Sequence, residues 1–488
     1  MSKIIIIGGG IAGLTAGIYA QKYGFESEIF EKNDFIGGEC TGYNKDGFHI
    51  DNCLEYLKGT DKKTELYQLW EDTGVLGGGV EVVRFDSFYT SHFDEKKAVL
   101  WRDKERTGKE LHKLGRSDGK AIDEFISAVT ALEKVKTPAE KPFDMMTKIE
   151  RIKFRISMMK ADKYVKKYGR MSLKEYAKGF QSPILKRFLT DFMDGSWSTL
   201  ALMSAYADFT SGNSGLPEGS SYAMSQRMAE RYKSLGGVIR TNSTVEKINI
   251  DSTKATGITL SNGETVNGDN IICACDTDIT FNVLIDKKYM PSQLAENYEK
   301  LKVQSAFQAV FRVDDECRFI HNTEIFPCRE ITVGKSVFDR MKIRSYYYEP
   351  KSAPLGKAVL QVRFTQNEDD YEYWKELYET DKQEYEKKKM EIAEEIILSI
   401  SAQYQQINGT IEILDVSSPC RYHRMTGAYK GAYRGFVYSP KAFSRQDMTG
   451  KIMDNIYLAT QWQSGHGGAE ISALNGKFAV QRIGKVSK

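Results

Sequence analysis

The start of the chain limits its fold more than any other stretch. Lys3-Ile4-Ile5-Ile6-Ile7 runs directly into Gly8-Gly9-Gly10-Ile11-Ala12-Gly13, and then into Leu14-Thr15-Ala16-Gly17-Ile18-Tyr19-Ala20. The β-branched run suits a strand buried on both faces. The G-x-G-x-x-G after it fits a tight turn at Gly8, a close approach of backbone to a diphosphate at Gly10, and a helix packed on the strand at Gly13. Unpaired N–H groups where the helix begins, around Ala12, then receive the phosphates. Ser27-Glu28-Ile29-Phe30 reads as a second strand, and Glu31 follows it, 18 residues beyond Gly13. A carboxylate at that spacing accepts hydrogen bonds from ribose hydroxyls and repels a 2′-phosphate, which favours FAD or NAD over NADP.

At 488 residues the chain is too long for one core, so a second domain is expected. A net charge of +3 argues against nucleic acid as a partner of the whole molecule. The seven cysteines are dispersed without a C-x-x-C pair, which fits a reducing cytosol. Neither they nor the six histidines have metal-site spacing, so no metal is expected. No stretch approaches the roughly 18 uncharged apolar residues that span a bilayer. The start also lacks the features of a secretory signal, and the expected location is cytoplasmic.

After Glu31 come Lys32-Asn33-Asp34-Phe35-Ile36-Gly37-Gly38-Glu39-Cys40-Thr41-Gly42 and, further on, Gly47-Phe48-His49-Ile50-Asp51. This stretch resembles the flavoprotein superfamily of amine oxidases and phytoene desaturases, most of all its phytoene desaturase and retinol saturase branch. The resemblance implies FAD, with Lys32 and Gly38 near it. Gly236 to Ile248 resembles the strand that sets a valine, here Val245, beside the adenine, and Ile271 to Asp276 the strand that approaches the cofactor at Ala274. The far end is similar too: a strand over 454–459, then Thr460-Gln461-Trp462, the turn Ser464-Gly465-His466-Gly467-Gly468-Ala469-Glu470, and a helix from Ile471 to Ile483. In the family this segment delivers a helix N-terminus to the flavin ring, which puts Gln461, Gly467, Gly468, Ala469 and Ile471 on the cofactor. Backbone N–H groups and the positive helix end there stabilise charge on a reduced flavin.

The implied fold class is α/β: a Rossmann-like FAD-binding domain interleaved with an α+β substrate domain of mixed sheet and helices. The first takes 1–84, 216–290 and 426–488; the second takes 85–215 and 291–425. Ala306–Val313 and Ala358–Phe364 read as strands of the substrate domain, and Tyr373 to Tyr404 as one long charged helix. No second G-x-G-x-x-G follows a strand, and Gly77-Gly78-Gly79 reads as a helix-to-strand loop, so a separate NAD domain is not expected. Electrons leave to an external acceptor or return to the substrate.

Hydride transfer needs little from the protein beyond positioning and exclusion of water. Departures from the family pattern supply the catalytic candidates. His466 and Glu470 share a face if the closing helix begins early enough. A titratable histidine there exchanges a proton with substrate; the plainer readings are a surface turn residue and a carboxylate at a helix start. Glu39 repels a diphosphate if it faces one, so it is expected to point to solvent. Tyr56, Tyr429 and Trp462 are candidate cavity walls.

The leading function is an FAD-dependent oxidoreductase that desaturates, saturates or isomerises a carbon–carbon bond in a hydrophobic, isoprenoid-like molecule. An amine oxidase and a non-catalytic flavoprotein partner are the alternatives. Between residues 141 and 188, 14 Lys and Arg face 4 carboxylates, interleaved with Phe143, Met145, Met146, Ile149, Ile152, Phe154, Ile156, Met158 and Met159. That pattern fits either a solvated helix pair or a peripheral contact with an anionic membrane at its inner face.

Overall fold

The computed structural model describes residues 2–349, 351–445 and 448–486. Its first layer is an all-parallel sheet of five strands in the order Val238–Arg240, Glu26–Phe30, Lys3–Ile7, Asn270–Cys273, Ile456–Leu458. The isoleucine run sits at its centre because both faces of that strand are covered. Ile4 and Ile6 turn toward a cluster with Ile11, Leu14 and Ile18, whereas Ile5 and Ile7 turn to the other side, against Val245, Ile248 and Ile258. Alternation about a pleated strand puts successive side chains on opposite faces, so an unbroken apolar run is what a doubly covered strand requires.

Helix Ile11–Lys22 covers the first face, and the last helix, Ala469–Val486, lies against it. Contact between the chain's two ends depends on Gly476. A Cβ there would stand 2.3 Å from the Ala12 carbonyl oxygen. Gly476→Val is therefore expected to lower stability by about 1–3 kcal/mol, read as a fall in denaturation midpoint. An unchanged midpoint would mean the helices have room to part.

The second sheet has seven strands in the order Glu412–Ser417, Ser305–Val313, Ala358–Gln366, Ser336–Ser345, Thr323–Val333, Ser87–Phe93, Lys96–Trp101. It is antiparallel except where Thr323–Val333 runs parallel to Ser87–Phe93. The chain thus passes between an α/β unit and a mixed-sheet unit several times. Among the described residues no helix is long and apolar enough to cross a membrane.

One expected helix is two. Glu368–Thr380 and Lys382–Gln403 are separated at Asp381. Its backbone is extended, and its carboxylate accepts from the N–H groups of Gln383 (3.1 Å) and Glu384 (3.0 Å). An Asp that caps the next helix competes with continuation of the previous one. Gly77, Gly78 and Gly79 do lie in a loop, between helix Glu65–Asp72 and strand Val82–Val83.

Candidate functional site

Two glycine turns and two helix starts meet around one cavity of about 300 Å³. From the first strand–helix turn the wall takes Gly8, Gly10, Ile11 and Ala12; from the second turn it takes Gly37, Gly38, Glu39 and Cys40. The two turns are tied by the Gly37 N–H, which donates to the Gly9 carbonyl at 2.9 Å. Gly8 and Gly37, with φ of 107° and 103°, hold conformations that L side chains rarely adopt. Gly10 precedes the first helix without a side-chain cap, and no acid stands in that helix's first turn. A Cβ at Gly10 would find no neighbour closer than 3.9 Å, so its backbone opens onto the cavity. These are the requirements of an anion cradle.

Gly13 does not face the cavity. Its position is set by packing, since a Cβ there would lie 1.9 Å from the Gly8 carbonyl oxygen. Glu31 lines the wall and is buried. It accepts from the Gly9 N–H at 2.8 Å and from the Asn33 backbone and side-chain nitrogens at 2.9 and 3.0 Å. A carboxylate has about four acceptor positions, which leaves one for a hydroxyl.

From the distant segments the wall takes Ala274, Cys275, Asp276, Gln461, Trp462, Gly468, Ala469, Glu470 and Ser472. Gln461 accepts from the Gly468 N–H at 3.2 Å, which fixes the start of the closing helix. Other expected contacts stand elsewhere. Lys32 is exposed, Val245 packs in the cluster beneath the parallel sheet, and Gly467 and Ile471 stand outside the wall.

Two expectations need correction. Glu39 faces the cavity rather than solvent, because the Gly37-Gly38 turn aims it inward. Burial, then the nearby Asp276, pushes its carboxyl up to about 8, against a hydrogen bond with Gln461. A neutral acid does not repel a diphosphate and has a proton to donate. Asp276 is itself raised to about 7, chiefly by burial, although the N–H groups of Tyr429 and Asp278 lower it. The folded protein holds the Glu39 proton more tightly than the unfolded chain, whose ordinary value is 4.5. Stability is therefore lost as pH rises from 4.5 to about 8, and Glu39→Gln removes that loss. In thermal melts across this range, Glu39→Gln is expected to gain on the wild type by roughly 2–4 °C at the alkaline end. Parallel curves would mean that Glu39 ionises normally.

The second correction concerns the His466–Glu470 pair. The closing helix begins at Ala469, so His466 precedes it and the two do not share a helical face. His466 lies outside the cavity wall with its ring 4.7 Å from that of Tyr438. Burial, then Lys58 and Arg434, pushes its imidazole down to about 4. Glu470 does reach the wall.

The far side of the cavity carries groups that sequence reasoning missed. Glu55 pairs with Lys342 at 2.8 Å and Arg363 at 3.6 Å, and all three line the wall. Burial would raise Glu55, but Lys342, Arg363 and Arg344 together hold it down to about 2. Arg344 donates to the carbonyls of Leu54 (3.0 Å) and Glu55 (2.9 Å), and Gln361 to that of Asp51 (2.7 Å). The mixed sheet thus grips the loop that carries Glu55 and Tyr56. The available signal was faint: polar residues at alternate positions, Lys342 and Arg344 in one strand, then Gln361, Arg363 and Thr365 in another. Phe192, Met193 and Trp197 supply the apolar part of the wall, together with Tyr56. No residue between 141 and 188 lines it. Trp462 lines it too, but Tyr429 does not; their rings pack with Tyr298 at 5.6 and 4.9 Å.

A family model described as flavin containing amine oxidoreductase matches residues 11–484. A 1-hydroxycarotenoid 3,4-desaturase from Flavobacterium sp. (strain P99-3) is 23% identical, with 99% of each chain covered. A chloroplastic prolycopene isomerase from Daucus carota is 22% identical over 98% of this chain and 79% of its own length. Among solved structures, an oxidoreductase from Methanosarcina mazei superposes with a TM-score of 0.59 at 17% identity, covering 99% of this chain and 100% of that one.

Proposed function

The chain belongs to the flavin containing amine oxidoreductase family and is a flavin-dependent oxidoreductase; we propose that its flavin is FAD and that it acts on a carbon–carbon bond of a hydrophobic, isoprenoid-like substrate. One observation carries the choice of FAD: the cavity runs without interruption from Glu31 past Gly8, Gly10 and Gly38 to Gln461 and Gly468. It thereby joins a ribose-accepting carboxylate, an uncapped helix start for the diphosphate, and a second helix start for the ring. When bound, the flavin supplies a two-electron acceptor or donor.

The substrate class draws on the relatives, which are named for carotenoid desaturation and isomerisation. The mixed sheet brings Lys342, Arg363 and Thr365 to the cavity wall, and Gln304 joins them there. Phe192, Met193, Trp197 and Tyr56 offer the apolar surface, and we assign segments 85–215 and 291–425 to the substrate on these grounds.

Desaturation removes a hydride from one carbon and a proton from its neighbour. Glu470, with its carboxylate at the cavity and at the closing helix start, is the group we propose to take that proton. His466 stands behind the wall and stays neutral across the physiological range, so it takes no part in this step. Glu470→Gln is expected to lower turnover about 100-fold while flavin is retained. His466→Ala is expected to leave the pH profile unchanged. Equal turnover in Glu470→Gln would remove that residue from the step.

The reading as a whole is tested by mixing the flavin-loaded protein anaerobically with acyclic polyenes or with putrescine. Bleaching of the flavin absorbance by a polyene alone is the expected result; bleaching by the amine alone would sink the carbon–carbon reading.

A further inference from the structure

Helix Lys148–Gly169 has two apolar faces, and the fold uses one. Its buried residues, Ala161, Tyr168 and Gly169, all fall in its second half. Val165 and Tyr164 pack beside them, partly buried. Nothing in residues 148–160 is buried. There Ile149, Ile152, Ile156 and Met159 are 66%, 55%, 61% and 70% exposed, and Phe143, just before the helix, is 50% exposed. The spacing of 3, 4 and 3 residues stacks the four helical side chains into one stripe. Most other exposed large apolar residues, such as Val283, Val337, Leu355 and Leu398, stand apart in sequence, which is ordinary for a protein surface.

The stripe is bordered by cations. At 100° per residue Lys153 and Lys160 fall on one side of it, and Lys148 and Arg155 on the other. None of these four is in an ion pair among the described residues; the pairs on this helix involve Glu150, Asp162, Lys166 and Lys167. The element is also firmly set. Thr147 and Glu150 form a capping box at its start, and Arg482 of the closing helix pairs with Asp144 at 2.7 Å.

We propose that this stripe is a docking surface for an anionic lipid bilayer. Isoleucine and methionine side chains enter the interface while the bordering Lys and Arg stay at the level of the phosphates. Charge complementarity selects this occupant: a second copy of the chain would set one row of unpaired cations against another. The helix also reaches the cavity wall. Ser198 Oγ donates to the carbonyls of Tyr168 (2.9 Å) and Gly169 (3.1 Å), and the neighbouring Trp197 lines the cavity. Docking by this helix would hold that wall close to the lipid surface. The surface is independent of the substrate reading, since it predicts binding to vesicles that contain no substrate.

The experiment is flotation of the flavin-loaded protein with vesicles of phosphatidylcholine alone or of phosphatidylcholine with phosphatidylglycerol. Binding to the anionic vesicles, weakened by high salt, is expected. Ile149→Ser with Ile152→Ser, Ile156→Ser and Met159→Ser should reduce the bound fraction at least tenfold. Lys148→Glu with Lys153→Glu, Arg155→Glu and Lys160→Glu should do the same. Light scattering of the lipid-free protein decides the competing occupant. Absence of wild-type flotation, equal flotation of the serine variant, or a dimer that the serine variant dissolves without any lipid affinity in the wild type would each overturn the proposal.

Discussion

Gly13→Ala is expected to purify without flavin and to be destabilised by about 3 kcal/mol. The cause is geometric: the new Cβ would stand 1.9 Å from the Gly8 carbonyl oxygen and 3.1 Å from its carbon. Backbone has to move, because a carbonyl group cannot rotate away as a flexible side chain does. The part that moves is the turn that presents Gly8 and Gly10 to the cavity. Gly10→Ala is the informative contrast, since its Cβ has no neighbour within 3.9 Å. That variant should melt like the wild-type apoprotein and still lose flavin affinity, because its methyl group occupies the space of the diphosphate. Flavin absorbance after purification and denaturation of the apoproteins separate the two effects. Full flavin occupancy in both variants would show that the diphosphate lies elsewhere.

Glu55→Ala should cost about 3–5 kcal/mol, the scale for removing one member of a buried ion network. The carboxylate is the anion shared by Lys342 and Arg363, and burial already lowers the Lys342 pKa despite it. Without Glu55 these cations face one another in the wall, and the loop that carries Tyr56 loses one of its anchors. Adding Lys342→Met to Glu55→Ala should recover part of the loss, because one unpaired charge is then gone. The pH dependence has a definite sign. Glu55 is held below its ordinary value of 4.5, so its contribution is complete above 4.5 and disappears as pH falls toward 2. Denaturant titrations of both variants at neutral pH measure the effect. A Glu55→Ala midpoint equal to that of the wild type would mean that water, not protein, solvates the cations.

The site was legible where chemistry is carried by backbone. Gly8 and Gly38 hold positive φ that favours glycine, and Gly10 keeps the space beside its backbone open to the cavity; such positions leave a mark in any sequence. Glu31 was legible for a similar reason: its distance from the glycines is set by one helix and one strand. Glu39 carries no such mark, because whether that acid is charged depends on a burial that only the fold creates. The break at Asp381 was missed because charge spacing on the two helices is continuous, and only the capping geometry divides them.

What the sequence determined by itself was the strand, glycine turn and helix that open the chain, and the place of that strand inside a doubly covered parallel sheet. These follow from local periods and from glycines whose need is conformational. Tertiary structure alone decided which charges share the cavity. Glu55 meets Lys342 and Arg363 across 287 and 308 residues, and Ala12 meets Gly476 across a longer interval still. Side chains so far apart along the chain interact only once two sheets have closed around the same space, and no local pattern records that meeting.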